Sequence, residues 1–591
     1  MAQLSEKDKH LNGPLKKSWI ISNIPIQDND FNYRIINPDF SVYAEELYSI
    51  TLDGNKEIKI IIDGIILPRD NIADEVKLLS AGDLMADLFA KYKTDIGRYI
   101  KGIYSLIIIE DDKFYLFADH FGIQKFFYYV KGHNFLFSNN LKLVSNELKF
   151  EFDYEMLAVY ALAFHYIGGK TAFKDINYNE PAAKIEFIKK LKFGHYWKAE
   201  KLLELRKNSL PYNEIARYFT KILYSNLDYL KADKISLSIT GGNDTRNLLA
   251  ALMKLNLSPH LYTYGDIRSY DAVIALNIAK KTGLNHSIYN SVPTTDKFTS
   301  EAEEIIIKGN SLASIHRAHR LKAVKNESVD NEIMLLGTMG GEFIRGVHYD
   351  DYIIASLFKK LWKNRHDQKR IIREALNAKF FRCRNLNLDK IVSILHSEPY
   401  FSDDIPENEF FLLSHITARL HDAQDINLYN HYIPQLVLFL DIDYLELIFS
   451  SDNTFLDKKK IKNKWIRRAQ NPLFASNLLK NLFPDMLDIE YTGHYKPKDV
   501  LFNKYYAAIK KAVSERLSEP YAQNFPLTDW MREYCINIYK QYQMDPFLND
   551  IFDNERYSVN LNGEINISEE KQWLKYTNLA NYNLLRCNYC Q

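Results

Sequence analysis

Over residues 48–152 the chain is written in short apolar or alternating runs separated by turn residues. Ile58-Lys59-Ile60-Ile61-Ile62, Tyr104-Ser105-Leu106-Ile107-Ile108-Ile109, Phe114-Tyr115-Leu116-Phe117 and Phe135-Leu136-Phe137 have strand length and β-branched or aromatic composition, so they predict strands. Helical spacing is confined to residues 83–92 and to the stretch that begins at Tyr154. The first part is therefore expected to be β-rich, a pair of stacked sheets. After His195-Tyr196-Trp197 a polar linker leads into a predicted helix over 212–229. From Ile235 strands alternate with helices, as in a parallel α/β sheet, and beyond about residue 350 helical periodicity dominates. The best single boundary falls near residue 200.

At 591 residues the chain is too long for one hydrophobic core, which supports two or more domains. A hydrophobic share of 46% with 26% charged residues fits a soluble globular protein, and the net charge of +1 suggests neither nucleic acid nor an anionic membrane as partner. No run approaches the roughly 18 apolar residues of a membrane span, and the polar start Met1-Ala2-Gln3-Leu4 lacks a signal-peptide core. Four cysteines do not make a disulfide framework, so a cytoplasmic location is expected. Cys587 and Cys590 form a CxxC without the second pair that a zinc site requires, and read as a loose tail. Cys383 and Cys535 read as isolated packing residues.

The chemistry is most legible at residues 235–253. Ile235-Ser236-Leu237-Ser238-Ile239 is a strand-like run, Thr240-Gly241-Gly242-Asn243-Asp244-Thr245-Arg246 follows at once, and Asn247-Leu248-Leu249-Ala250-Ala251-Leu252-Met253 continues as a helix. Two glycines permit a tight turn and a close approach to a ligand. The helix N-terminus that follows suits a phosphate or pyrophosphate, with Thr240 and Thr245 as hydroxyl donors and Asp244 placed for Mg²⁺. The spacing is not that of a Walker A loop. The bland alternative is an ordinary strand–turn–helix corner.

The segment resembles the pyrophosphate loop, Ser-Gly-Gly-x-Asp-Ser, of ATP pyrophosphatases, which cleave ATP between the α and β phosphates. Further segments single out the asparagine synthetase branch. Phe117-Ala118-Asp119-His120-Phe121-Gly122-Ile123-Gln124-Lys125-Phe126-Phe127-Tyr128-Tyr129 resembles the ARDRFGIKPLYY stretch of class II glutamine amidotransferase domains. Gly102-Ile103-Tyr104-Ser105-Leu106 and Phe137-Ser138-Asn139-Asn140-Leu141-Lys142 resemble flanking segments of that domain, and 425–441 resembles the late segment ending in V-x-F-L-D at Asp441. The resemblance covers most of residues 48–470. It implies an N-terminal Ntn-hydrolase-like sandwich over 1–200, followed over 201–591 by a parallel-sheet α/β ATP-pyrophosphatase domain with a helical C-terminal extension.

The departures are as informative as the matches. The family's processed N-terminal cysteine has no counterpart, since the first cysteine is Cys383, and its Asn-Gly is Asp63-Gly64 here. The only strong thiol nucleophile is missing, and a carboxylate would repel a developing oxyanion. Glutaminase activity is therefore not expected, and the first domain is expected to persist as a scaffold, as in β-lactam synthetase and lasso-peptide cyclases. In the second nucleotide loop, Leu336-Gly337-Thr338-Met339-Gly340-Gly341-Glu342-Phe343 keeps Gly337 and Glu342 but has Thr338 and Gly341 where the family has aspartates. Glu342 either substitutes as a metal ligand or caps a helix start. Pro434 stands at the family's glutamate, and Lys496 stands either for its late lysine or as a solvated side chain.

The resemblance thus implies a ligase that adenylates a carboxylate with ATP and Mg²⁺, releases pyrophosphate and passes the acyl group to an amine. Catalysis is assigned to Asp244, Glu342 and Lys496, metal binding to Asp244 and Glu342. Nucleotide binding is assigned to Leu237, Ser238, Thr240, Gly241, Gly242, Asn243, Asp244, Thr245, Tyr264, Gly265 and Gly337. Expected partners are a small-molecule or peptide carboxylate and a separate source of ammonia or amine. The alternatives are an intramolecular peptide or β-lactam-type cyclase and a non-catalytic nucleotide-binding scaffold.

Overall fold

The structure is a computed structural model and describes residues 16–590 apart from 28–30, 53–55, 77–78, 291–294, 347–352, 380, 399–404, 459–469, 492, 518–533, 535–536, 538–545 and 554–572. The chain opens with strands β1 (Trp19–Ser22), β2 (Tyr33–Ile36), β3 (Ser41–Ala44), β4 (Tyr48–Leu52), β5 (Lys56–Pro68) and β6 (Ile100–Glu110). It continues with β7 (Lys113–Ala118), β8 (Phe127–Lys131), β9 (Asn134–Ser138), β10 (Ile176–Tyr178), β11 (Ala183–Phe187) and β12 (Leu191–His195). These form two antiparallel six-stranded sheets, in the orders β10-β8-β9-β1-β3-β2 and β12-β11-β7-β6-β5-β4.

The apolar run in β6 is explained by burial on both faces. Ile107 and Ile109 join Phe114, Leu116, Phe135, Phe137 and Phe187 between the sheets. Leu106 and Ile108 belong to the larger core, with Leu84, Leu88 and Phe89 of the helix Ala81–Tyr92. That helix starts at the Ser80 cap, whose side chain accepts from Asp83 N. The strands predicted in this region and the helix from Tyr154 (Tyr154–Ala163) are all present. Strands β1 to β3 lie ahead of residue 48, where the segments that carry the resemblance begin.

The third sheet is parallel, in the order β15-β14-β13-β16-β17. Its members are β13 (Ile235–Ser238), β14 (His260–Tyr264), β15 (His286–Tyr289), β16 (Ile333–Leu335) and β17 (Gln435–Leu436). The predicted helix over 212–229 is Tyr212–Leu230, and the helix after β13 runs Asp244–Lys254, three residues ahead of its expected start. Helices dominate the remainder of the described chain. Among the described residues no helix is long and apolar enough to cross a membrane.

The CxxC does not sit on a loose tail. It flanks the end of the helix Trp573–Tyr589, where Tyr582 Oη donates to Leu157 O at 2.6 Å and Asn581 Nδ2 donates to Tyr160 Oη at 2.8 Å. Cys587 and Cys590 are half-buried and in no disulfide, and burial pushes the Cys590 thiol up to about 11. Cys383 is half-buried, and Cys535 lies outside the described residues.

A buried ion cluster fastens the β5–β6 end of the sandwich to the helix Ile442–Phe449. Lys101 Nζ lies 2.8 Å from Asp70, 3.1 Å from Asp441 and 2.8 Å from Asp443. Arg69 adds bonds to Asp443 at 2.5 Å and Glu446 at 2.6 Å, and Asn226 donates to Asp441 at 2.8 Å. Asp441 is therefore tied into a structural cluster. A second seam joins Gln124 to Asn430 at 3.3 Å, Lys125 N to Asn427 at 3.2 Å and Arg419 to Asn179 O at 2.8 Å.

Candidate functional site

Two neighbouring strands of the parallel sheet, β13 and β16, end in loops that meet over Asp244. The first loop is Thr240 to Asn243, and the second is Leu336 to Gly341. Their contact depends on the absence of side chains. A Cβ at Gly340 would stand 2.5 Å from Asp244 Cβ and 2.6 Å from its Cγ, and one at Gly337 would stand 2.6 Å from Thr245 Cγ2. Such approaches are open only to glycine. None of Gly241, Gly242, Gly337 and Gly340 has a positive φ, so what sets Gly242 apart is the space around it. A Cβ at Gly242 would meet only Thr240 Oγ1, at 3.2 Å, which leaves open space on the loop's outer side.

The loop's amides are partly engaged by the protein itself. Gly241 N donates to Asp271 Oδ1 at 2.9 Å, and Gly242 N donates to Thr240 Oγ1 at 3.1 Å. Thr240 was expected to act as a hydroxyl donor, and here its oxygen accepts from the loop. Asp271, in the first turn of the helix Tyr270–Thr282, was not singled out from sequence. It lies 30 residues from its partner, so no local pattern marks it. Unused polar atoms remain beside the loop: Asn243 Oδ1 and Thr245 Oγ1 are buried without hydrogen-bond partners.

Burial first, and the nearby Glu342 carboxylate second, push the Asp244 carboxyl up to about 8, against the opposing pull of Arg345. Glu342 opens the short helix Glu342–Arg345, accepts from Gly341 N at 3.2 Å and pairs with Arg345 at 2.6 Å. It is thus the first residue of that helix rather than its cap, and its charge bears on Asp244. Two carboxyls in mutual repulsion, beside buried oxygens without partners, fit a hard cation such as Mg²⁺, which takes oxygen ligands and retains waters.

Leu237 and Ser238 pair through their backbones with Leu261 and Tyr262 of β14, and Gly265 N continues the ladder to Tyr289 O at 3.0 Å. Tyr264 ends β14 and is half-buried. The Arg320 guanidinium lies 5.6 Å from its ring centre and the His319 ring 5.9 Å.

Lys496 sits at the cap of the helix Pro497–Phe502, half-buried. Its segment lies against the helices that follow the loop. Arg246 donates to Ile489 O at 3.0 Å and to Glu490 O, Tyr270 Oη donates to Tyr491 O at 3.0 Å, and His494 N donates to Tyr270 Oη at 2.9 Å. The charges that Lys496 faces are those of Asp488 and Asp499. It is neither freely solvated nor joined to Asp244 by any described contact.

Asp63, on β5, is buried and accepts from Gln124 Nε2 at 2.7 Å and Asn139 Nδ2 at 2.9 Å. Burial raises its pKa, against the Lys16 ammonium and these donors. Lys16 Nζ is buried without a hydrogen-bond partner.

Residues 50–146 match the model of a glutamine amidotransferase domain. No curated protein matches the chain. Similar solved structures include an allosteric regulatory enzyme of purine biosynthesis, at 8% identity over 48% of this chain and 60% of that one, TM-score 0.22. NMN synthetase from Francisella tularensis is 13% identical over 36% of this chain and 97% of that one, TM-score 0.21. Glutamine phosphoribosylpyrophosphate amidotransferase from B. subtilis, complexed with ADP and GMP, is 9% identical over 62% and 74%, TM-score 0.20. The chain spans 60% of the length of the first of these, and scores this low carry no argument about fold or reaction. What the comparisons give is a likeness of residues 50–146 to a glutamine amidotransferase domain.

Proposed function

We propose that this chain is an ATP-dependent, AMP-forming carbon–nitrogen ligase of the asparagine synthase-like kind. The observation that carries the reading is the meeting of two strand-end loops over a half-buried Asp244, whose carboxyl is crowded by Gly340 and faces the Glu342 carboxylate. Loops at the carboxyl ends of parallel strands are where α/β sheets bind ligands. In this reading residues 1–200 are an amidotransferase-like domain without glutaminase activity, and 201–591 form the ATP-pyrophosphatase part. Asp63 stands in a buried network of donors, and no cysteine occurs among residues 1–382.

ATP would lie with its pyrophosphate toward Thr240, Gly241, Gly242, Asn243 and Thr245, at the N-terminus of the helix Asp244–Lys254. Adenine would lie near Leu237, Ser238, Tyr264 and Gly265, with Gly337 closing the floor. Asp271 holds the loop in shape through Gly241 N. Mg²⁺, held by Asp244 and Glu342, would neutralise phosphate charge. The substrate carboxylate attacks the α-phosphorus, the bond to the β-phosphate oxygen breaks, and pyrophosphate leaves. An amine then attacks the acyl carbon, loses a proton and displaces AMP. The chain contributes positioning and charge stabilisation, with Lys496 as the late cation. The amine comes from solution, from another protein, or from the substrate itself.

A non-catalytic scaffold is the second reading, favoured by Thr338 and Gly341 in the second loop and by the Gly241 amide already bonded to Asp271. Product analysis separates the two. With Mg²⁺-ATP, ammonium and a panel of carboxylic acids, the ligase yields AMP and pyrophosphate in the presence of at least one acid. Nucleotide recovered intact with every acid, or hydrolysed to ADP and phosphate, would remove the ligase reading.

A further inference from the structure

Behind Tyr264, at the same end of the parallel sheet as Asp244, lies a set of charged side chains to which the proposed reaction gives no role. Arg317 and Arg320 stand at the start of the helix Ala318–Asp330, which leads into β16. Both guanidiniums bond the same oxygen, Asp425 Oδ2. The other carboxylate oxygen, Oδ1, is buried without a hydrogen bond. The two arginines differ in access: the Arg317 side chain is 2% exposed and that of Arg320 is 28% exposed. Arg317 also donates to His421 O at 3.0 Å, so its role is to lock the cluster.

Arg320 is held on several sides. Its Nη1 is on Asp425, and its Nε donates to His319 Nε2 at 3.2 Å. His319 Nδ1 lies 2.6 Å from His316 O, and a carbonyl only accepts, so Nδ1 carries the proton and Nε2 presents its lone pair to Arg320. The guanidinium lies over Tyr264, the residue that ends β14. That strand pairs with β13, whose following loop leads to Asp244, so the guanidinium stands at the same strand ends as the two loops. Asp422 ends a run of wide π-helical turns, Leu412–Asp422, a conformation that is uncommon and recurs at functional sites.

A guanidinium on the surface ordinarily loses side-chain freedom when it binds an anion, and here that freedom is already lost. Resting on the ligase reading, we propose that Arg320 is the anchor for an oxyanion other than the pyrophosphate, either the α-phosphate of the nucleotide or the carboxylate of the acid. Asp425 and His319 position it, and Tyr264 is the platform that sets its plane. The geometry also limits the adenine, because one face of Tyr264 is covered by the guanidinium.

Calorimetry on the full chain with Mg²⁺ tests this, using adenosine and AMP against wild type, Arg320→Met and Arg320→Lys. Adenosine binding to all three gives the baseline for any change in the contacts over Tyr264, against which the AMP affinities are compared. If the α-phosphate is the oxyanion, AMP binds about tenfold or more weakly to Arg320→Met. Arg320→Lys, which keeps the charge without the fork, falls between them and carries the test if the Met variant does not fold. If AMP binds equally, small mono- and dicarboxylates are titrated into the AMP-saturated proteins. An acid bound by wild type and lost by the variants identifies the carboxylate as the oxyanion. Variants that bind AMP and every acid as wild type does overturn the inference alone. A wild type that does not bind Mg²⁺-ATP overturns it together with the ligase reading.

Discussion

The carboxyl of Asp244 has Gly340 against one side and the charge of Glu342 on another. This makes Gly340 a sensitive position. In Gly340→Ala the new Cβ meets Asp244 and, at 2.9 Å, the Phe439 ring. The expected cost is about 1–3 kcal/mol, as for other overpacked sites, together with weakened nucleotide binding. Urea melts and calorimetry check both, and a variant with wild-type stability would show that the loops do not bear on Asp244. At this scale the sequence was unevenly informative. Gly241, Gly242, Asp244, Gly337 and Glu342 stand in compact strings whose spacing carries meaning. Asp271 and Arg320 each depend on a partner far along the chain or across a loop, and no window of sequence contains that relation.

Strands β13, β14 and β15 are joined to the helix Ala318–Asp330 by one carboxylate. Glu327 accepts from Ser236 Oγ at 2.5 Å, from Tyr289 Oη at 2.6 Å and from His260 Nδ1 at 2.8 Å. The Glu327 hydrogen bond raises the His260 pKa above its ordinary value, against desolvation. A raised histidine pKa contributes stability that is fully present below the unfolded value of about 6.5 and is lost as pH rises through the folded value. Wild type should therefore exceed His260→Gln in melting temperature near pH 6, with the gap closing toward pH 9. A gap independent of pH would mean that the imidazolium makes no such bond. The elements themselves were readable from periodicity: β5, β6, β7 and β9, the helix Tyr212–Leu230 and β13 all fall where their patterns predict. Strands β1 to β3 were missed because they are short, four residues each, and gain their stability from pairing with β9 and with one another.

At the scale of the whole molecule, the antiparallel sandwich and the parallel α/β region are clasped by Lys101, whose side chain is 1% exposed among three aspartates. Removing one partner of such a cluster leaves buried charge uncompensated, at about 3–5 kcal/mol. Lys101→Met is expected to lower stability by that order, seen in the urea midpoint, while Lys131→Met, in an exposed pair at 3.3 Å, changes little. Equal effects would show that the clasp does not hold the halves together. The order of the two regions was legible in sequence, whereas the clasp was not, because Lys101 and Asp441 carry no local sign that they meet.

The ligase reading is decided most directly by Mg²⁺-ATP binding to the full chain, measured by calorimetry for wild type and Asp244→Ala with GTP as the specificity control. Metal-dependent binding of ATP over GTP, abolished by the substitution while the fold is retained, is the expected result. A folded wild type that does not bind Mg²⁺-ATP, or an Asp244→Ala variant that binds it equally well, would contradict it.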